Sequence, residues 1–219
     1  IQMEIFLITI QIPAKRKILE QLKSAVQENG ADIGFAFDGD GDRVGMITNS
    51  GDSVLADHLI MILSEHYLKK KKGAIIFDVK CSSQLPILIE NFGGTAIMEK
   101  TGHFNIKKAI KKYNAILGGE MSGHIFINHD WYGFDDAIYT AVMLAKVISD
   151  TGQPASSVIE QFPKTFTTPE LNLDVDDVSK FKMVEKFKEQ MKFPDAEFNT
   201  IDGVRAVSYT HLTLPTTYH

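Results

Sequence analysis

The chain has 219 residues, 44% of them hydrophobic and 23% charged, which is enough apolar material for one or two globular domains with real cores. A net charge of −5 argues against nucleic acid or an anionic membrane as the main partner, and no stretch approaches the roughly 20 apolar residues of a membrane span. A single cysteine, Cys81, excludes an internal disulfide framework and fits a reducing, cytoplasmic setting.

Residues 15–29 place Ile18, Leu19, Leu22, Ala25 and Val26 at helical spacing, and Gly30 supplies a stop. The apolar run Ile33–Phe37 predicts a buried strand, and carboxylates begin where it ends. Asp38, Asp40 and Asp42 alternate with Gly39 and Gly41, so the backbone can turn tightly enough to converge three acidic side chains. Held close and uncompensated, they would repel one another and raise each other's pKa. A hard divalent cation resolves this, and an all-oxygen set favours magnesium, manganese or calcium over zinc. Arg43 directly after them adds a planar fork suited to phosphate. An EF-hand loop fails, because it wants Gly at Arg43 and Glu at Asn49. A haloacid-dehalogenase-type loop with Asp38 as nucleophile fails at Asp42 but stays as a second choice. A solvated acidic turn is the bland one.

A strand Val44–Thr48 follows, and the turn cluster Asn49-Ser50-Gly51-Asp52 marks a domain boundary. The pattern then restarts, with helices predicted at Leu55–Leu68, Gln84–Phe92, Phe104–Tyr113 and Asp135–Ile148. Between them come strands Ala74–Val79, Thr95–Met98, Ala115–Leu117 and Ile125–Ile127. Alternating strands and helices predict an α/β fold with mixed, mostly parallel sheets covered by helices on both faces. In such sheets ligands gather at the carboxyl ends of strands. Three loops there carry chemistry. Asp78-Val79-Lys80 offers a lysine for phosphate or proton transfer; Lys100-Thr101-Gly102-His103 puts a histidine beside a helix N-terminus. Gly118-Gly119-Glu120-Met121-Ser122-Gly123-His124 offers Glu120 and Ser122 to vicinal hydroxyls, both on one side if the loop is extended, with Met121 packing inward. Asp135 is expected to cap the helix that follows it. Further on come a short helix Ala155–Phe162, a strand from Thr168 and a helix Ser179–Met191.

The stretch Asp38-Gly39-Asp40-Gly41-Asp42-Arg43-Val44-Gly45 resembles the metal loop of the alpha-D-phosphohexomutases, of the bacterial phosphomannomutase/phosphoglucomutase branch. Lys100-Thr101-Gly102-His103, Gly119-Glu120-Met121-Ser122-Gly123-His124 and Tyr132-Gly133-Phe134-Asp135-Asp136 match further motifs of that family. The resemblance covers roughly 14–205. It implies the later part of a metal-loop domain at 14–52, a complete sugar-recognition domain at 53–164 and the opening of a phosphate-binding domain at 165–205. It also implies an isomerase that moves phosphate between C1 and C6 of mannose or glucose, through a phosphoserine and a hexose bisphosphate. Magnesium would sit on Asp38, Asp40 and Asp42; Arg43, Lys80 and His103 would be catalytic; Glu120, Ser122 and His124 would hold the sugar. Hexose phosphate and bisphosphate would be the partners. A non-catalytic sugar-phosphate-binding module remains a third class.

Both ends depart from the family pattern. Residues 1–13 read as an ordinary amphipathic strand, yet a plausible codon choice shifted by two bases spells a family-like stretch, so a frameshifted start is expected. Residues 206–219, around Val207-Ser208-Tyr209-Thr210-His211-Leu212, have the form of a translated sequencing adapter. Lacking the phosphoserine and the terminal phosphate loop that the resemblance implies, the chain is expected to be inactive by itself.

Overall fold

The computed structural model describes residues 5–9 and 19–163, together with Asp176, residues 179–190 and residues 196–208. It divides into two units, residues 1–166 and 167–219.

In the first unit, β1 (Ile5–Thr9) lies parallel to β2 (Ile33–Phe37), with β3 (Val44–Thr48) and β4 (Ser53–Val54) added antiparallel in the order β1-β2-β3-β4. Residues 5–9 thus form a strand, as the amphipathic-strand reading of this stretch expects. Helix α1 (Glu20–Asn29) ends where Gly30, at φ +61°, closes its last turn with an N–H donated to Gln27 and Val26. Strand alternation then splits β2 and β3 between two faces. Ala36 and Ile47 meet Leu19, Leu22 and Val26 beside α1, while Ile33, Phe35, Val44 and Met46 join the main core.

The second sheet has the order β6-β5-β7-β8, built from β5 (Ala74–Asp78), β6 (Thr95–Glu99), β7 (Leu117–Gly119) and β8 (Ile125–Ile127). Strands β6, β5 and β7 are parallel and β8 is antiparallel. Helices α2 (Ala56–Lys70), α3 (Gln84–Asn91) and α5 (Ala137–Thr151) contribute to the main core with Ile75, Phe77, Leu117 and Ile125. On the opposite face α4 (His103–Tyr113) packs Ile106, Ala109 and Ile110 against Ile76 and Phe126. Each fully buried Phe or Ile of this kind contributes about 1.5–3 kcal/mol relative to exposure. A short helix, α6 (Ala155–Glu160), follows α5. The α/β expectation of mixed sheets carrying helices on both faces is met.

One strand is displaced from its expected place. Residues 115–117 were the expected strand, but β7 runs two residues later, to Gly119. Gly118 and Gly119 pair with Ile76 and Phe77 on one side and with Phe126 and Ile125 on the other. A Cβ at Gly118 would collide with Ile110 and one at Gly119 with Ile60, so these glycines serve close packing inside the sheet.

The second unit holds α7 (Ser179–Gln190), whose Ser179 N–H donates to Asp176 Oδ1, and an antiparallel hairpin of β9 (Ala196–Asn199) and β10 (Arg205–Ser208). The hairpin ladder includes residues 206–208, the first of the expected tail. The strand expected from Thr168 and residues 209–219 lie outside the described residues.

Candidate active site

The loop after β2 turns on Gly41, at φ +76°, whose N–H donates to the Asp38 carbonyl. Asp38 is 5% exposed, and its Oδ1 accepts the backbone N–H groups of Asp42 and Arg43, each at 3.1 Å. Fixing one carboxylate this way draws the others in: an oxygen from each of Asp38, Asp40 and Asp42 lies within 4.8 Å of the other two. Asp42 Oδ1 is buried with no hydrogen-bond partner. Burial raises the Asp42 pKa, and the crowding carboxylates of Asp38 and Asp40 add to this against the opposing charge of His124. An orphaned, crowded carboxylate oxygen of this kind suits a hard cation, so the donor set fits a divalent metal. Arg43 Nε lies 3.4 Å from Asp38 Oδ2 and donates to His124 Nε2 at 3.1 Å.

Because β6, β5 and β7 run parallel, the loops after Glu99, Asp78 and Gly119 leave the sheet at the same edge. The loop after β7 is a tight turn: Gly123 N–H donates to the Glu120 carbonyl at 3.0 Å, and Glu120 N–H to the His124 carbonyl at 2.9 Å. Gly123 stands at φ +99° and its carbonyl accepts Val44 N–H at 3.1 Å, which ties this turn to the metal loop's outgoing strand. Arg43 and His124 also form an isolated antiparallel bridge.

Glu120 and Ser122 do share a side, since both reach His124 Nδ1, at 3.0 and 2.9 Å. Met121 packs against the core. Glu120, however, is only 1% exposed, and its other oxygen accepts Gly102 N–H at 2.6 Å. Each oxygen keeps a further lone pair, so burial and not acceptor capacity limits what this carboxylate can meet. For His124, burial opposes the charged ring, but the Glu120 hydrogen bond and the charges of Asp42 and Glu120 outweigh it and raise the pKa. Two proton arrangements fit the contacts. The neutral ring gives Nδ1–H to Glu120 and accepts from Arg43 at Nε2; the charged ring gives up the Arg43 bond and turns Nε2–H toward Asp42 Oδ2, 3.3 Å away.

His103 opens α4, and its ring stacks on His124 with centroids 5.7 Å apart. Its Nδ1 lies 3.2 Å from Asp135 Oδ2, while Asp135 Oδ1 accepts from Lys107 Nζ at 2.7 Å. Burial works to raise the Asp135 pKa, but Lys107 and His103 prevail and hold it below the usual carboxylate range. The capping role expected of Asp135 belongs to its neighbour: Asp136 Oδ1 accepts Tyr139 N–H at 2.9 Å. Asp135 forms an isolated antiparallel bridge with Phe126, and its side chain meets His103 and Lys107. Lys80 lies exposed on the turn after β5, near enough for its charge to act on Asp78. Lys107 joins the site without having been singled out, while Asp78, named only as the start of the lysine loop, and Asp135, expected only as a cap, take part in it directly. His103 and Lys107 stand four apart on one helix, a spacing that places them on a common face.

Two family models match, "Phosphoglucomutase/phosphomannomutase, alpha/beta/alpha domain II" over residues 9–51 and "domain III" over residues 56–166. A phosphomannomutase/phosphoglucomutase of Pseudomonas putida is 50% identical over 194 residues, spanning 88% of this chain and 42% of that protein. A phosphoglucomutase of Neisseria gonorrhoeae is 41% identical over 196 residues, with the same shares of 88% and 42%. The chain therefore spans under half the length of these relatives. A crystal structure of a phosphoglucomutase/phosphomannomutase family protein from Burkholderia thailandensis superposes with a TM-score of 0.84 at 30% identity, over 94% of this chain and 52% of that one. With its metal loop, histidine loop and Glu-Met-Ser-Gly-His turn placed on the second and third domains of that architecture, the chain belongs to the phosphoglucomutase/phosphomannomutase family of alpha-D-phosphohexomutases.

Proposed function

We propose that these residues form the metal and sugar-recognition parts of a hexose phosphate mutase that interconverts the 1-phosphate and 6-phosphate of mannose or glucose. The observation that carries this reading is the junction of the two loops: Arg43 Nε lies 3.1 Å from His124 Nε2, so three converging carboxylates and the Glu120–His124 turn share one edge.

Asp38, Asp40 and Asp42 would hold magnesium, which supplies charge neutralisation for a transferring phosphoryl group when bound. The chain's own groups do the rest. Arg43, with a guanidinium that stays charged, would orient phosphate. Glu120 and Ser122 would accept and donate to hydroxyls that mannose and glucose share. His124, already bonded to both, can hold a proton at Nδ1 or release one at Nε2 beside Asp42. His103 and Lys80 would stand around the phosphate as donors, His103 steered by Asp135. The phosphoserine and the hexose bisphosphate enter through the family resemblance and match none of these residues, so this chain is expected to bind substrate without turning it over.

Calorimetry with glucose 1-phosphate and mannose 1-phosphate, in the presence of magnesium, tests the site. Binding of at least one sugar phosphate without conversion is the expected result. Turnover by the 219-residue chain would overturn the expected inactivity, and failure to bind either sugar phosphate would overturn the site itself.

A further inference from the structure

Asp78 is the last residue of β5, the strand flanked on both sides by parallel neighbours. Its register partner in β6 is Glu99, and the preceding residue, Phe77, pairs with Gly119 of β7. The loops carrying Lys80, His103 and Glu120 therefore all leave the sheet around this one side chain. It is fully buried at 0% exposure and meets all three loops. Oδ1 accepts Met121 N–H at 3.2 Å and the Cys81 thiol at 3.1 Å, and Oδ2 accepts Thr101 Oγ–H at 3.4 Å. A second strut joins the last two loops, since Glu120 accepts Gly102 N–H.

Burying a carboxylate is costly, and Glu120 nearby adds like charge. An apolar residue would fill a strand end more cheaply, so its acceptors are what this position supplies. From the convergence of three loop donors on one buried carboxylate, we infer that Asp78 is a positioning residue that sets the spacing of the lysine, histidine and Glu120 loops. It touches no substrate in this role. The inference rests on the mutase reading for its consequence, but the positioning itself is a property of the chain alone.

The test is amide hydrogen exchange, followed by NMR, on the 219-residue chain and its Asp78→Ala variant. The Met121 amide, which loses its charge-assisted acceptor, is expected to exchange about tenfold faster or more, and the Gly102 amide, whose bond to Glu120 joins the two loops that Asp78 spaces, to exchange faster with it. Ile116, whose N–H donates to Ala74 at the far end of the same sheet, should keep its protection. A purely structural role would loosen Ile116 as much as Met121, and that pattern, or no change anywhere, would overturn the inference. Should Asp78→Ala fail to fold, Asp78→Asn carries the test: its one amide oxygen cannot serve both Met121 N–H and the Thr101 hydroxyl on the opposite oxygen, so either the Met121 amide exchanges faster or the Thr101 loop loosens and the adjacent Gly102 amide does, and two unchanged amides would overturn it. Glucose 1-phosphate titrated into wild type and variant separates the two readings. Wild-type binding weakened about tenfold in the variant supports both. If wild type does not bind, the mutase reading falls, and the exchange pattern decides the positioning role by itself.

Discussion

Gly123→Ala tests the join between the acidic loop of Asp38, Asp40 and Asp42 and the turn of Glu120 and His124. At φ +99° an L side chain is strained, and a Cβ there would come within 2.9 Å of the Val44 carbonyl oxygen, a backbone atom that cannot rotate away. Relief requires the two segments to part, which also sacrifices the 3.1 Å bond from Val44 N–H to Gly123. Strain of about 1–2 kcal/mol, a net hydrogen bond of about 0.5–1.5 kcal/mol and some residual clash sum to about 2–4 kcal/mol. For a unit of this size that lowers Tm by about 4–16 °C. Gly41→Ala is the matched control: its φ is +76°, but a Cβ there meets nothing nearer than Ile138 at 4.0 Å, so it should cost only the strain, about 1–2 kcal/mol. Urea unfolding of both variants measures the difference. If Gly123→Ala is no less stable than Gly41→Ala, the contact between the loops is not the constraint described.

Asp40→Asn removes one ligand charge from an exposed position, so magnesium affinity by calorimetry should fall about tenfold or more with Tm unchanged. Glu120→Gln should weaken hexose phosphate binding much more than magnesium binding, because an amide cannot accept from both Gly102 and His124; a variant that keeps wild-type affinity for both sugar phosphates would refute it. Lys107→Met should cost under about 1 kcal/mol, with a defined pH profile. The Asp135 pKa is held low, so its contribution is present above the ordinary value of about 3.9 and fades as pH falls through the lower folded value. The stability gap between wild type and variant should therefore be full above about pH 4 and close below it, as acid titrations of both proteins will show. Beryllofluoride should not trap Asp38, whose Oδ1 is already committed to two backbone N–H groups.

Much of this site was legible because its signals are local. An Asp-Gly repeat at a strand end, or Lys-Thr-Gly-His before a helix, is readable within a few residues. What escaped depends on neighbours distant in the chain. A lone Asp78 after Ile-Ile-Phe looks like any strand end until the order β6-β5-β7 puts it among three loops. Asp135 and Asp136 are adjacent in one dimension, and only the bond from Tyr139 N–H to Asp136 Oδ1 shows which of them caps. Glycines 118 and 119 read as loop because their use, close approach of Ile110 and Ile60, belongs to helices elsewhere in the chain.

The turn at residues 49–52 reads as a seam, yet Ile33, Phe35 and Met46 before it share one apolar cluster with Leu59, Ile75 and Leu144 after it. A cut made at that seam would expose a greasy face on each piece. Dissecting the chain there to obtain an isolated metal-binding peptide would yield two aggregating halves rather than two working parts. The useful boundary for subcloning lies after α6, where the first unit ends.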